Sequence, residues 1–329
     1  MRFMSDSSGF ILRPLRRDDV DPATDLLMLT SASGVRQHLA LHLAAAAAGE
    51  HGCAFVAERD GAVIGSALLS SDLVFPGSIT TLVAVAEPAR RSGVGSALAD
   101  QLGERLAHET LPASCKLRDD LSDGRRFAER RGFALRGHNL GWSLDLAAQD
   151  GTLETAARQA ARSAGVRIYR AALPEEIDTV LECALRCMPG LPSDQHADPK
   201  QARDYFPGDS IVLLAERDEP DEGAGPRTLG MTAVAPQTEE GAWYTLFTGV
   251  DAAHRGAGVA RALKAESFLR ARRAGARSLV THNHETNNAI IGLNTSFGMQ
   301  PATGYWDLQR PMPKQPPGHP TPNPSPLDV

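Results

Sequence analysis

The sequence predicts an α/β protein that carries one mixed-sheet unit twice. Three observations lead there: landmark segments recur in the same order, each half alternates strand-like and helix-like stretches, and each half has a glycine-bearing loop opening an apolar-periodic helix. A chain of 329 residues is long for one core and comfortable for two.

The repeat begins with Ile11-Leu12-Arg13-Pro14-Leu15, which returns as Ile168-Tyr169-Arg170-Ala171-Ala172. Phe55-Val56-Ala57-Glu58-Arg59-Asp60 returns as Leu213-Leu214-Ala215-Glu216-Arg217-Asp218, and Ile64-Gly65 as Leu229-Gly230. The spacing widens once, across the acidic, glycine-containing stretch Glu219 to Arg227, where a surface loop absorbs insertions at little cost. Arg131-Gly132-Phe133 matches Phe297-Gly298-Met299, and the Trp142 segment matches the Trp306 segment. These landmarks divide the chain into domains at 10–148 and 165–312, an alanine-rich helical linker at 149–164, and a proline-dense tail at 313–329 that reads as disordered.

Within a repeat the order is strand, helix, three strands, helix, strand, helix, strand. Arg59-Asp60-Gly61 is a hairpin turn between two alternating runs. Ser78 to Val85 is β-branched and apolar, as a buried strand requires. Val94, Leu98, Leu102 and Leu106 recur every four residues and so share one helical face. A mixed sheet with helices on both faces follows.

Composition narrows the function. A hydrophobic content of 42% fits globular domains, and a net charge of −6 argues against a nucleic-acid partner. No apolar run approaches the roughly 20 residues of a membrane helix, and Met1 to Phe10 lacks a signal-like core. Cys53, Cys115, Cys183 and Cys187 have no paired CxxC spacing, which points to reduced thiols, a cytoplasmic setting and no metal centre.

The loops carry the chemistry. The first runs Val85-Ala86-Glu87-Pro88-Ala89-Arg90-Arg91-Ser92-Gly93-Val94-Gly95-Ser96. The second runs Val250-Asp251-Ala252-Ala253-His254-Arg255-Gly256-Ala257-Gly258-Val259-Ala260-Arg261. Both place Arg-x-x-Gly-x-Gly/Ala at a helix start, where unpaired N–H groups and the helix dipole attract phosphate oxygens. Glycine lets the backbone approach the anion. The Walker lysine and the third glycine of the dinucleotide fingerprint are missing.

The two loops resemble the acetyl-CoA signature of the GNAT superfamily of N-acetyltransferases, and the resemblance covers nearly the whole chain as two tandem domains. It implies a mostly antiparallel, twisted mixed sheet in each. It also implies that Val85 and Val250 pair with the pantetheine arm of acetyl-CoA, while Arg90, Arg91, Ser92, Gly93, Val94, Gly95 and Ser96, and Arg255 to Arg261, hold the pyrophosphate. The stretch Asn287 to Met299 is similar to the family's closing motif. There Asn287 stands at the cofactor-contacting asparagine, and Asn294 replaces the tyrosine that usually protonates the leaving thiolate.

Acyl transfer to an amine needs positioning, a neutral amine and a stabilised oxyanion. Deprotonating a lysine-like amine at pH 7 costs about 4.6 kcal/mol, so a base is expected. Thr281 and Asn283 alternate toward one face of a strand, and Glu240 is the candidate base. Glu240, Asn283 and Asn294 are therefore the catalytic candidates, and the second domain is the expected catalytic half. Lys116, Arg118, Asp119, Asp120 and Asp123, in the matching region of the first, read as an exposed charged face. The function this implies is acetyl-CoA-dependent N-acetylation of a small-molecule primary amine by a monomer or homodimer. The alternatives are mycothiol-synthase-like acetylation of a cysteinyl amine and an acyl-CoA-binding regulator without catalysis.

Overall fold

The structure is a computed structural model that describes residues 9–31, 36–50, 52–71, 77–148, 151–189, 206–217, 227–237 and 241–311. The acidic loop after Arg217 and the proline-dense tail lie outside the described residues.

The first half runs β1 (Ile11–Pro14), α1 (Val20–Met28), α2 (Arg36–Ala48), β2 (Cys53–Arg59), β3 (Ala62–Ser71), β4 (Ile79–Val85), α3 (Val94–Leu106), β5 (Ala113–Arg118), α4 (Ser122–Glu129) and β6 (Ala134–Asp145). A linking helix α5 (Thr152–Ala164) follows. The second half runs β7 (Val166–Arg170), α6 (Ile177–Cys187), β8 (Ile211–Arg217), β9 (Thr228–Pro236), β10 (Ala242–Val250), α7 (Val259–Arg273), β11 (Ser278–His284), α8 (Asn288–Ser296) and β12 (Gln300–Arg310).

Local chemistry explains these elements. Asp60 and Gly61 both adopt positive φ, the conformation of a tight hairpin turn that matches strand twist. The buried residues of α3 are Val94, Leu98, Leu102 and Leu106, one stripe packed on Phe55, Ala57, Ala67 and Leu69. Val56 and Leu68, their neighbours in sequence, point to the opposite face and meet Leu27 of α1 and Leu43 of α2. β8 is buried along Ile211–Leu214, as a strand covered on both faces must be.

All strands join one twelve-stranded sheet, in the order β1-β2-β3-β4-β5-β12-β6-β11-β10-β9-β8-β7. The halves exchange their last strands. β12 lies between β5 and β6, with Trp306 opposite Leu117 on one side and His138 on the other. β6 in turn pairs with β11, Leu144 opposite Leu279. Where β6 and β12 cross, a Cβ on Gly141 would collide with the Thr303 carbonyl, so only glycine fits. The linking helix α5 packs on α7 and β7, and Leu153 and Ala157 enter the second-half core.

The parallel pairs β4–β5 and β10–β11 are short. β4 meets β5 only at Ile79↔Ala113 and Thr80↔Ser114. β10 meets β11 at Ala242↔Ser278, Trp243↔Leu279 and Tyr244↔Val280. Past these points the strands diverge and leave a gap in each half of the sheet.

Candidate functional site

The first gap opens into a cleft of about 540 Å³ between β4 and β5 and beneath α3 and α4. Its walls are mostly apolar, with Val83 and Val85 on one side, Cys115 and Leu117 on the other, and Phe127 and Phe133 across from Ala99. Burial pushes the Cys115 thiol up to about 12, so it remains protonated and lines the wall without acting as a nucleophile.

The predicted loop stands at one end of this cleft. Arg91 and Gly93 take positive φ, which turns the chain sharply into α3. The first helical bond runs from Ala97 N–H to the Gly93 carbonyl, so the three preceding amides begin the helix outside its own ladder. Arg90 Nε donates to the Val85 carbonyl at 3.1 Å and ties the loop to its strand. Val85, Arg90, Arg91, Gly93, Gly95 and Ser96 all line the cleft. Two predicted residues serve the framework: the Ser92 hydroxyl donates to the Ala89 carbonyl, and Val94 is in the core. Arg130, Arg131 and Arg310 also line the cleft and add positive charge, with Asp123 as the one carboxylate among its described lining residues.

The second gap is smaller, about 260 Å³. It is lined by four successive residues, Thr281, His282, Asn283 and His284. Successive strand residues point to opposite faces, so this cavity passes through the sheet. Thr281 and Asn283 are buried together as the alternation required.

The helix beside it differs from its counterpart. Aligning Gly93 with Gly258, each preceding a helix with left-handed φ, sets Ser96 against Arg261 and Ala99 against Lys264. Arg261 Nη2 donates to Ser296 Oγ at 2.7 Å and its guanidinium lies over the Phe297 ring, bridging α7 to α8. Lys264 extends into the gap, where Ala99 leaves space in the first half.

The second loop keeps the tie of arginine to its strand and adds two more. Arg255 donates to the carbonyls of Val250, Cys187 and Pro189 at 3.1, 3.0 and 2.7 Å. Val250 and Val259 are buried in the core. Gly256, Ala257, Gly258 and Ala260, like Arg255 and Arg261, are not among the residues lining the cavity, whereas Asn287 is. Asn287 Oδ1 also accepts from Ile290 N at 3.4 Å and caps α8. Asn294 is fully buried behind the cavity, donating to Asn283 Oδ1 at 3.1 Å, while Asn283 donates to the His284 carbonyl. Glu240 lies outside the described residues. β10 carries a bulge between Thr245 and Phe247, at the cavity wall, whereas β4 pairs with β3 without interruption.

Strand exchange brings to this cavity residues that lie far apart along the chain and share no motif: Lys116 from β5, Asn139 from β6, and Tyr305 and Asp307 from β12. Asp307 sits opposite Lys116, and burial raises its carboxyl. His282 Nε2 meets the Thr303 carbonyl at 3.0 Å, which only a donor can satisfy, so Nδ1 accepts from the Tyr244 hydroxyl at 3.1 Å. Burial lowers the His282 pKa, consistent with a neutral ring. The His284 ring leans over Gly137, where any Cβ would strike Nε2.

The expected exposed charged face of the first half is partly buried. Asp119 Oδ2 bonds His138 Nε2 at 2.9 Å and accepts from Gly304 N at 3.1 Å, fastening β12 in place. Inserting β12 beside β5 is what covers these groups. Cys183 and Cys187 are free thiols buried on α6. Among the described residues, no three His, Cys, Asp or Glu side chains are placed to hold a metal ion, and no helix is long and apolar enough to cross a membrane.

Comparison with known proteins bears on the first loop directly. Residues 23–133 match the acetyltransferase (GNAT) family model. A GCN5-related N-acetyltransferase from Sphaerobacter thermophilus superposes with a TM-score of 0.64 at 16% identity, covering 94% of this chain and 98% of that one. A tandem GNAT protein from the clavulanic acid biosynthesis pathway superposes with a TM-score of 0.64 at 19% identity, covering 91% and 98%. A GCN5-related N-acetyltransferase from Kribbella flavida gives a TM-score of 0.51 at 18% identity, covering 92% and 72%. At these identities the structures establish the fold. No curated protein matches the sequence.

Proposed function

We propose that this chain, whose residues 23–133 match the acetyltransferase (GNAT) family model within a tandem GNAT fold, is an acyltransferase that N-acetylates a primary amine of a small molecule with acetyl-CoA held in the first half. The observation that carries this reading is the cleft of about 540 Å³ that begins at the Arg90–Ser96 loop and runs between β4 and β5.

In this reading the pyrophosphate rests on the amides that open α3, with Arg90 and Arg91 beside it. The pantetheine arm follows Val85 toward the strand divergence, between apolar walls that exclude water. Holding thioester and amine together can contribute about 7–11 kcal/mol toward the barrier. The transfer is direct: the amine nitrogen bonds to the acyl carbon, the C–S bond breaks, and the thiol leaves with a proton. The enzyme is read as cytoplasmic, monomeric or homodimeric, with its two units at 10–148 and 165–312.

A second reading places the transfer in the second half, with Glu240, Asn283 and Asn294 as the catalytic groups. The bulge in β10 favours it, because bulges re-aim the backbone beside active sites. It requires Arg261 and Lys264 to swing aside before coenzyme can enter.

Calorimetry with coenzyme A separates the two. Arg90→Glu is expected to weaken binding roughly tenfold or more by reversing a charge at the diphosphate, and Arg255→Glu to leave it near wild type. Thiol release with an amine panel should follow the same order. Loss confined to Arg255→Glu would place the coenzyme in the second half.

A further inference from the structure

Lysine is almost never fully buried without a partner, because its ammonium loses the water that solvates it. Lys264 is 1% exposed. Its ammonium lies over the Phe268 ring, with a centroid 5.5 Å away. Among the described residues no carboxylate forms an ion pair with it, and burial alone lowers its pKa to about 8. At neutral pH the group is therefore still charged, inside the protein, facing the second-half cavity.

A second unmet group lines the same cavity. Among the described residues, Thr245 Oγ1 is buried with no hydrogen-bond partner. One uncompensated cation and one idle hydroxyl lining the same cavity describe the complement of a small anion.

We propose that the gap between β10 and β11 is a binding site for a small monocarboxylate, its charge set against Lys264 Nζ and one oxygen accepting from Thr245 Oγ1. One buried positive charge is neutralised by one negative charge. A phosphate dianion would bring a second charge with no arginine among the described lining residues to meet it. Lys116, the other lysine on the wall, already faces Asp307 across the β5–β12 ladder. The coenzyme itself fits poorly, because the space is about half that of the first cleft and the Arg261–Ser296 bridge closes the helix side. This inference rests on the coenzyme lying in the separate Arg90–Ser96 cleft; a Lys264→Met variant that loses coenzyme A affinity together with the carboxylate would instead put the coenzyme in this gap.

The titratable groups facing this cavity are Lys264, Lys116, His282, His284, Tyr305 and Asp307. Between pH 7.5 and 9.5 loss of the Lys264 proton removes the counter-charge, so affinity should fall as pH rises. The test is calorimetry of the full chain with acetate, butyrate and inorganic phosphate. A carboxylate is expected to bind at one equivalent, roughly tenfold more weakly at pH 9.5 than at 7.5. Lys264→Met should abolish that heat, and Thr245→Val should weaken binding by several-fold, while both variants keep wild-type affinity for coenzyme A. No carboxylate heat, tighter binding of phosphate, or a Lys264→Met variant that binds carboxylate as wild type does would each overturn the proposal.

Discussion

Replacing Lys264 with methionine is expected to make the protein more stable at neutral pH. Methionine keeps the length of the stem and removes the charge. The size of the effect follows from the displaced titration: an ordinary lysine holds its proton to 10.5 and this one to about 8. At 1.36 kcal/mol per pH unit, carrying the charge inside costs about 3 kcal/mol. The sign is fixed by linkage. Below about pH 8 both folded and unfolded chains hold the proton, and the whole penalty is present. Between about 8 and 10.5 the unfolded chain binds more protons than the folded one, so wild-type stability climbs with pH through that window. The variant lacks this contribution, and the two stability curves should converge as pH rises. Urea denaturation followed by circular dichroism at pH 7.5, 8.5 and 9.5 measures the difference. A variant less stable than wild type at pH 7.5, or a gap that stays constant with pH, would refute the reasoning.

Three further outcomes follow from the exchanged strands and the first cleft. Gly141→Ala sets a Cβ against the Thr303 backbone and should cost about 2 kcal/mol or more in chemical denaturation, whereas Gly137→Ala meets only the movable tip of His284 and should cost less than about 1. Residues 1–148 expressed alone lack β12 and leave β5 and β6 with open edges, so size-exclusion chromatography should show association or aggregation in place of a compact monomer. Alkylation at pH 8 should leave Cys115 unmodified in the folded protein, since its thiol titrates at about 12, and modify it once denatured.

Much of this architecture could be read from local signals. Glycine at positive φ, the four-residue spacing of Val94 to Leu106 and the Asp60-Gly61 turn are short-range features, and the sheet kept each of them. Strand pairing is a long-range property. Alternation marks Ala134–Asp145 and Gln300–Arg310 as strands but does not say which neighbour each will take. The reading of Asp119 as solvent-exposed failed for that reason. Lys264 was missed because a lysine in a helix reads as a solvent position, while α7 is covered on its outer side by α5 as well as by the sheet. Asn283 was legible by alternation with Thr281, but nothing in the sequence said that Asn294 would bond to it.

The insertion of β12 has a consequence for how the protein is made. The contact between Gly304 and Asp119 joins residues 185 positions apart, and β12 is made after every other described strand. Domains that fold during synthesis normally do so amino-terminal end first. Here the early half must wait for the late one to fill the place beside β5, so the cleft between β4 and β5 reaches its final form only after β12 has been made. The nascent first half carries an unfilled slot through that interval, a vulnerability that chaperones would meet and that a duplicated gene with unexchanged strands would avoid.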